Sequence, residues 1–196
     1  MATTKKTVAK KAARGKKAAA PARKAALPAK KSAAKKEPFR NHITRLKAGD
    51  KAPAFKGVDQ DGKLINATAF KGRKLVLYFY PQDLTPTCTV QACNLRDHFT
   101  ALQQKGIEVI GVSEDDAAKH KKFETKHQLP FRLLADTDHA AIKAYDVWGA
   151  KQFMGKIYDG LLRTTFLINE KGVIDHVITK PDTKNHAQEI LNLWGL

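Results

Sequence analysis

Cysteine is scarce in this 196-residue chain: there are two, Cys88 and Cys93, too few for the disulfide framework that small secreted domains rely on. Long apolar runs are lacking as well. The longest, Leu75 to Tyr80, falls far short of the roughly 20 residues that cross a bilayer, and no apolar signal region follows the basic start. A soluble, cytoplasmic, non-exported protein with no membrane contact is therefore expected. The first 40 residues contain a single acid, Glu37, and a single aromatic, Phe39, while 13 of them are Ala. Such a composition excludes a hydrophobic core there.

Positive charge is what the chain has in excess: 36 Lys and Arg against 19 Asp and Glu, a net of +17. Residues 1–40 hold 14 basic residues and one acid, whereas residues 41–196 hold 22 and 18. The chain thus divides into a disordered Lys/Ala/Pro-rich tail, 1–40, and a folded domain, 41–196. The tail repeats KKAA at Lys10 to Ala13 and at Lys16 to Ala19, with KKSA at Lys30 to Ala33. Pro21, Pro28 and Pro38 interrupt any helix, and like charges repel. Lysines on a flexible chain neutralise phosphates and release counterions, which gives salt-sensitive, sequence-independent binding to DNA or RNA. The composition resembles the tails of linker histones and of some bacterial nucleoid-associated proteins, which implies association with a nucleoid or nucleus. A merely solubilising tail is the alternative. A transit peptide is disfavoured, since residues 1–40 contain three Arg and one Ser.

The folded part alternates short apolar runs with turn signals. Ala54 to Val58 and Leu64 to Phe70 flank Asp61-Gly62, a hairpin signal. Leu75 to Tyr80 reads as a strand buried on both faces, followed by one helix from about Pro86 to Lys105 that Gly106 ends. Ile107 to Ser113 is a second buried strand, Asp115 to Gln128 a charged helix, Phe131 to Ala135 a short strand and His139 to Tyr145 a short helix. Arg163 to Asn169 and Val173 to Thr179 flank a Gly-containing turn, and Ala187, Ile190, Leu191 and Trp194 share one face of a final helix. This order predicts an α/β domain of thioredoxin-like arrangement: a central mixed β-sheet flanked by helices, with an added N-terminal β-hairpin.

Thr85-Pro86 reads as an N-cap followed by proline at the first helical position, which places Cys88 third in the helix. Unpaired backbone N–H groups and the positive end of the helix dipole there favour thiolate over thiol. Cys93 lies five residues on. Ideal helix geometry separates the two α-carbons by about 8.7 Å, beyond the roughly 7 Å limit for a disulfide, so a bridge requires the start of the helix to unwind. Three readings of the pair stay open: redox chemistry, two small buried hydrophobes, and a metal site with His98, whose spacing fits no zinc pattern. Pro81 serves at least as a strand terminator. Arg163, beside an uncharged strand, is either a snorkelling side chain or a guanidinium fixed near the thiolate.

The string from Tyr80 through Pro81, Thr85, Cys88 and Cys93 to Asp97 resembles the active-site segment of peroxiredoxins, in particular the peroxiredoxin Q or bacterioferritin comigratory protein group. Gly49 to Phe55, Tyr145 to Trp148 and Gly155-Lys156 to Ile168 resemble the same group. The resemblance implies a thiol-dependent peroxidase acting on hydrogen peroxide and organic hydroperoxides. It implies Cys88 as the peroxidatic residue, Cys93 as the resolving residue of an intramolecular disulfide, Thr85 hydrogen-bonding the peroxide, Pro81 shielding the pocket and Arg163 orienting thiolate and peroxide. It further implies recycling by thioredoxin or a similar dithiol, a monomer, and no metal or organic cofactor. Thr87 and Gln91 stand where the group's pattern usually has Gly and Glu. The competing function is a DNA-binding nucleoid-type protein whose domain has a secondary redox role.

Overall fold

A computed structural model describes residues 39–196. The basic tail therefore lies outside the described residues, except for Phe39 and Arg40. The strands are β1 (Lys56–Asp59), β2 (Leu64–Asn66), β3 (Lys74–Phe79), β4 (Ile107–Ser113), β5 (Arg132–Ala135), β6 (Trp148–Phe153), β7 (Lys156–Leu161), β8 (Thr164–Ile168) and β9 (Ile174–Ile178). The helices are α1 (Pro86–Asp97), α2 (Phe99–Gln104), α3 (Ala117–His127), α4 (Ala140–Ala144) and α5 (His186–Leu193).

One mixed sheet in the order β2-β1-β5-β4-β3-β8-β9 forms the centre. β3, β4 and β5 run parallel, while β1, β8 and β9 join antiparallel to their neighbours. The unbroken apolar run of β3 is explained by its position. It lies between β4 and β8, with Leu75, Leu77 and Phe79 packing toward α4 and Val76, Tyr78 and Tyr80 packing toward α1, α2, α3 and α5. Both faces are covered, so alternation between apolar and polar has no place in this strand. Among the described residues no helix is long and apolar enough to cross a membrane.

Three local expectations need correction. The helix expected over 86–105 is broken at His98, whose ring Nδ1 donates to the Asn94 carbonyl at 2.9 Å and so takes the acceptor that the helical ladder would use. The strand expected over 64–70 lasts three residues, because Asn66 caps a 3-10 turn over Ala67–Phe70 by accepting from the Ala69 N–H. Residues 146–162, for which the sequence suggested no element, contain the separate β6–β7 hairpin. Met154 and Gly155, with φ of 48° and 79°, form its two-residue turn.

Candidate active site

β3 ends by delivering the chain into the loop 81–85, and buried polar contacts fix that loop. The Asp83 carboxylate accepts from the Tyr80 hydroxyl at 2.7 Å and faces His120 Nδ1 at 2.7 Å, and the Asp83 N–H donates to the Asp115 carboxylate at 2.6 Å. His120 Nε2 donates to the Leu134 carbonyl at 3.2 Å, which ties the loop to β5. Leu84 adopts a left-handed φ of 61°, and the next residue opens α1. Thr85 takes the N-cap position and Pro86 the first helical one, as expected. The threonine side chain does not cap, however: its hydroxyl donates to the Gln82 carbonyl at 3.0 Å. Cys88 is accordingly the third residue of α1, among N–H groups that have no partner within the helix.

Cys88 is only 2% exposed, and a guanidinium reaches it there. Arg163 precedes β8, and since Phe79 pairs with Thr164, the sheet register sets Arg163 beside the end of β3 from which the loop departs. Its Nη2 donates to Cys88 Sγ at 3.0 Å, and its Nη1 donates to Gln91 Oε1. Of the two readings of Arg163, this places it on the sulfur rather than along the surface. Gln91, one turn after Cys88 and fully buried, contacts His186 Nδ1 through Nε2 at 3.0 Å. Burial, together with the Arg163 charge, pushes the His186 pKa down to about 4. Burial above all pushes the Tyr78 phenol up, so it stays neutral beside the site.

Cys93 is different in kind. It is half-buried, lies farther along α1, and has His127 Nδ1 3.9 Å from its sulfur. Burial, then Lys126 and Arg96, hold the His127 pKa below the ordinary value. Both cysteines are free. The proposed third ligand of a metal, His98, bonds the backbone instead, and among the described residues no cluster of His, Cys, Asp and Glu could hold a metal ion. Beside Cys93, the Asn94 side chain spans two elements: its Nδ2 donates to the Lys184 carbonyl at 2.8 Å and its Oδ1 accepts from the Ala187 N–H at 2.9 Å.

Residues 48–177 match the AhpC/TSA family. The chain belongs to that family. It is 48% identical over 147 residues, 75% of this chain and 94% of the relative, to Peroxiredoxin Bcp of Escherichia coli K12. A cysteine-to-serine variant of Xanthomonas campestris Peroxiredoxin Q superposes with a TM-score of 0.68 at 30% identity, over 72% of this chain and 90% of that one. A structure of the Xanthomonas campestris bacterioferritin comigratory protein, whose title concerns its alkyl peroxide reduction activity, covers the same shares at a TM-score of 0.67 and 30% identity. The protein is thus a peroxiredoxin of the Q/Bcp group, a thiol peroxidase with a thioredoxin-like fold, which acts on peroxides and draws reducing equivalents from thiols.

A cleft of about 990 Å³ lies beside this peroxiredoxin's Arg163; Pro81, Thr87, Tyr158, Leu162 and Arg163 are among its walls, and Cys88 is not. Arg40, Lys151 and Lys180 line it too, with no carboxylate among the described lining residues. Lys151 Nζ donates to the Leu161 carbonyl at 2.9 Å and lies over the Tyr158 ring, and burial lowers its pKa. The five residues expected at the site fall in two sets. Arg163 contacts the Cys88 sulfur, Pro81 and Arg163 share a cleft, and Thr85 opens the helix that carries Cys88, while Cys93 stands apart. Sequence reasoning missed the roles of Asp83, His120 and His186, and it noted Gln91 only as a departure from a pattern. The i, i+3 spacing from Cys88 was the one local signal that put Gln91 on the same face of the helix.

Proposed function

We propose that Cys88 is the peroxidatic residue of this thiol peroxidase and Cys93 its resolving partner. The observation that carries the reading is the 3.0 Å contact between Arg163 Nη2 and Cys88 Sγ in the first turn of α1. The guanidinium and the unpartnered N–H groups stabilise a thiolate, which attacks one peroxide oxygen. The S–O bond forms as the O–O bond breaks, and the same donors, joined by the Thr85 hydroxyl once it leaves the Gln82 carbonyl, stabilise the departing hydroxide or alkoxide until it takes up a proton. Pro81 closes the pocket against bulk water. Cys88 is left as a sulfenic acid. After the start of α1 unwinds, the Cys93 sulfur attacks it, an S–S bond forms, the S–O bond breaks, and water leaves with the Cys93 proton. Thioredoxin or a similar dithiol then reduces the disulfide by exchange. One chain holds both sulfurs, so a monomer suffices, and no metal or organic cofactor enters the scheme. Organic hydroperoxides join hydrogen peroxide as substrates by analogy with the alkyl peroxide activity named for the Xanthomonas relative.

The test is intact mass after one equivalent of hydrogen peroxide. The expected result is a loss of about 2 Da in the unaltered chain, a gain of about 16 Da in Cys93→Ser, and no peroxide turnover in Cys88→Ser. Turnover surviving in Cys88→Ser sinks the scheme. A second reading, that residues 1–40 hold the enzyme near nucleic acid, rests on their 14 basic residues against one acid. Deletion of residues 1–40 then weakens DNA binding and flattens its dependence on salt, with peroxide turnover retained. Unchanged DNA affinity in the truncated chain removes the tail from the account.

A further inference from the structure

We propose that His186, the first residue of α5, is a positioning residue for the Cys88 thiolate, acting through Gln91 and Arg163. This rests on Cys88 being the attacking sulfur. Three segments distant in sequence meet in one hydrogen-bonded line: His186 to Gln91, Gln91 to Arg163, and Arg163 to Cys88. The direction of each bond in the line follows from what each group can do. A guanidinium only donates, so the Gln91 atom facing Arg163 is the oxygen. The Gln91 amide nitrogen therefore faces His186 and donates, and His186 Nδ1 accepts. The ring proton sits on Nε2, which is buried with no partner among the described residues.

An unpaired buried N–H is uncommon and costly, and its tolerance here fits a need for a free acceptor at Nδ1. The environment keeps that acceptor available at neutral pH, because burial and the Arg163 charge oppose a second cation at His186. Arg163 selects the Gln91 oxygen, but without an acceptor at position 186 the buried Gln91 NH₂ group loses its partner, which opposes that orientation and favours turning the amide. With the amide turned round, its NH₂ group opposes the guanidinium, and the donor on Cys88 is displaced. As arranged, Arg163 donates from both ends of its fork, to the sulfur and to the Gln91 oxygen, and the Gln91 amide donates on to His186, so the line holds the guanidinium in place on the sulfur.

Space filling is the competing role for a fully buried side chain, and substitutions separate the two. His186→Leu keeps bulk but has no acceptor, whereas His186→Asn places an oxygen near the position of Nδ1. In the full chain carrying Cys93→Ser, so that one sulfur remains, two readouts are taken: the rate of sulfenic acid formation with hydrogen peroxide, and the pH profile of Cys88 alkylation by iodoacetamide. H186L is expected to slow the peroxide step about tenfold, the scale on which residues that orient a functional group act, and to move the alkylation midpoint upward. H186N recovers most of both. Q91L reproduces the H186L defect, and adding H186L to Q91L costs nothing further.

The proposal is overturned if H186L matches its parent, if H186L and H186N are equally impaired, or if the full H186L loss persists in the Q91L background. Should H186L not fold, as circular dichroism reports, Q91L slow beside H186N fast supports the link, and Q91L matching its parent overturns it. Peroxide turnover surviving in Cys88→Ser, by contrast, removes the reading of the attacking sulfur and is independent of what these variants do.

Discussion

Cys88 and Cys93 share one helix, yet one is 2% exposed under a guanidinium and the other is half-buried with a single imidazole at 3.9 Å. The donor on the first sulfur is already in place, and another residue holds that donor. The second is displaced around the helix and can meet the first only if α1 comes apart. On the proposed chemistry, preorganisation is therefore concentrated on the step that meets a small, fast-diffusing oxidant, while the second step is left to a movement of the backbone.

The contrast can be broken most severely at the loop. Asp83→Ala leaves the buried Tyr80 hydroxyl and His120 Nδ1 without their partner, and a loss of about 2–5 kcal/mol of unfolding free energy is expected by denaturant titration. The loop ahead of Cys88 then loses its anchor, and Cys88 should alkylate as an exposed thiol does. Next in size, Arg163→Ala removes the donor on Cys88, and the peroxide step should fall about 10²–10³-fold in stopped-flow measurements, with alkylation of Cys93 unchanged. Arg163→Lys should not restore it, because an ammonium cannot span both Cys88 and Gln91 as the planar fork does.

Acid should weaken the Cys88 side in particular. His186 titrates near 6.5 when unfolded and at about 4 when folded, so between these values the unfolded chain binds the extra proton. Its contribution is complete above about pH 6.5 and is lost as pH falls toward 4, at up to about 1.4 kcal/mol per pH unit. Denaturation midpoints from pH 7 to 4 should fall more steeply for the unaltered chain than for His186→Asn; parallel curves refute this. The smallest effect belongs to the other sulfur. His127→Ala should alter stability by less than about 0.5 kcal/mol and leave the peroxide step untouched.

Much of this molecule could be read before its coordinates. The apolar run at Leu75 to Tyr80 could be placed between two covered faces, and Thr85-Pro86 located the helix start that holds Cys88, because both depend on neighbours in sequence. The β6–β7 hairpin could not. Its strand sequences, WGAKQF and KIYDGL, show neither the continuous apolar run of a buried strand nor clean alternation, since the pair stands apart from the main sheet. The line from Cys88 to His186 was hidden for another reason. Arg163 lies 75 residues from Cys88 and His186 lies 95 from Gln91, and only the pairing of β3 with β8 and the packing of α5 bring them together. An Arg beside a strand or a His at a helix start looks the same in sequence whether it braces a thiol or fills a gap.

Asn94 carries the last consequence. Its side chain fastens α1 to the start of α5 immediately after Cys93, and Gln91 does so two residues before it. On the proposed chemistry, these fastenings must open before the two sulfurs can join, so their strength sets how long oxidised Cys88 waits. During that wait a second peroxide competes for the same sulfur, and its product, a sulfinic acid, is not restored by a dithiol. The grip of one asparagine thus divides the enzyme's molecules between those that are recycled and those that are spent, and loosening it should lengthen the working life of each molecule when oxidant is abundant.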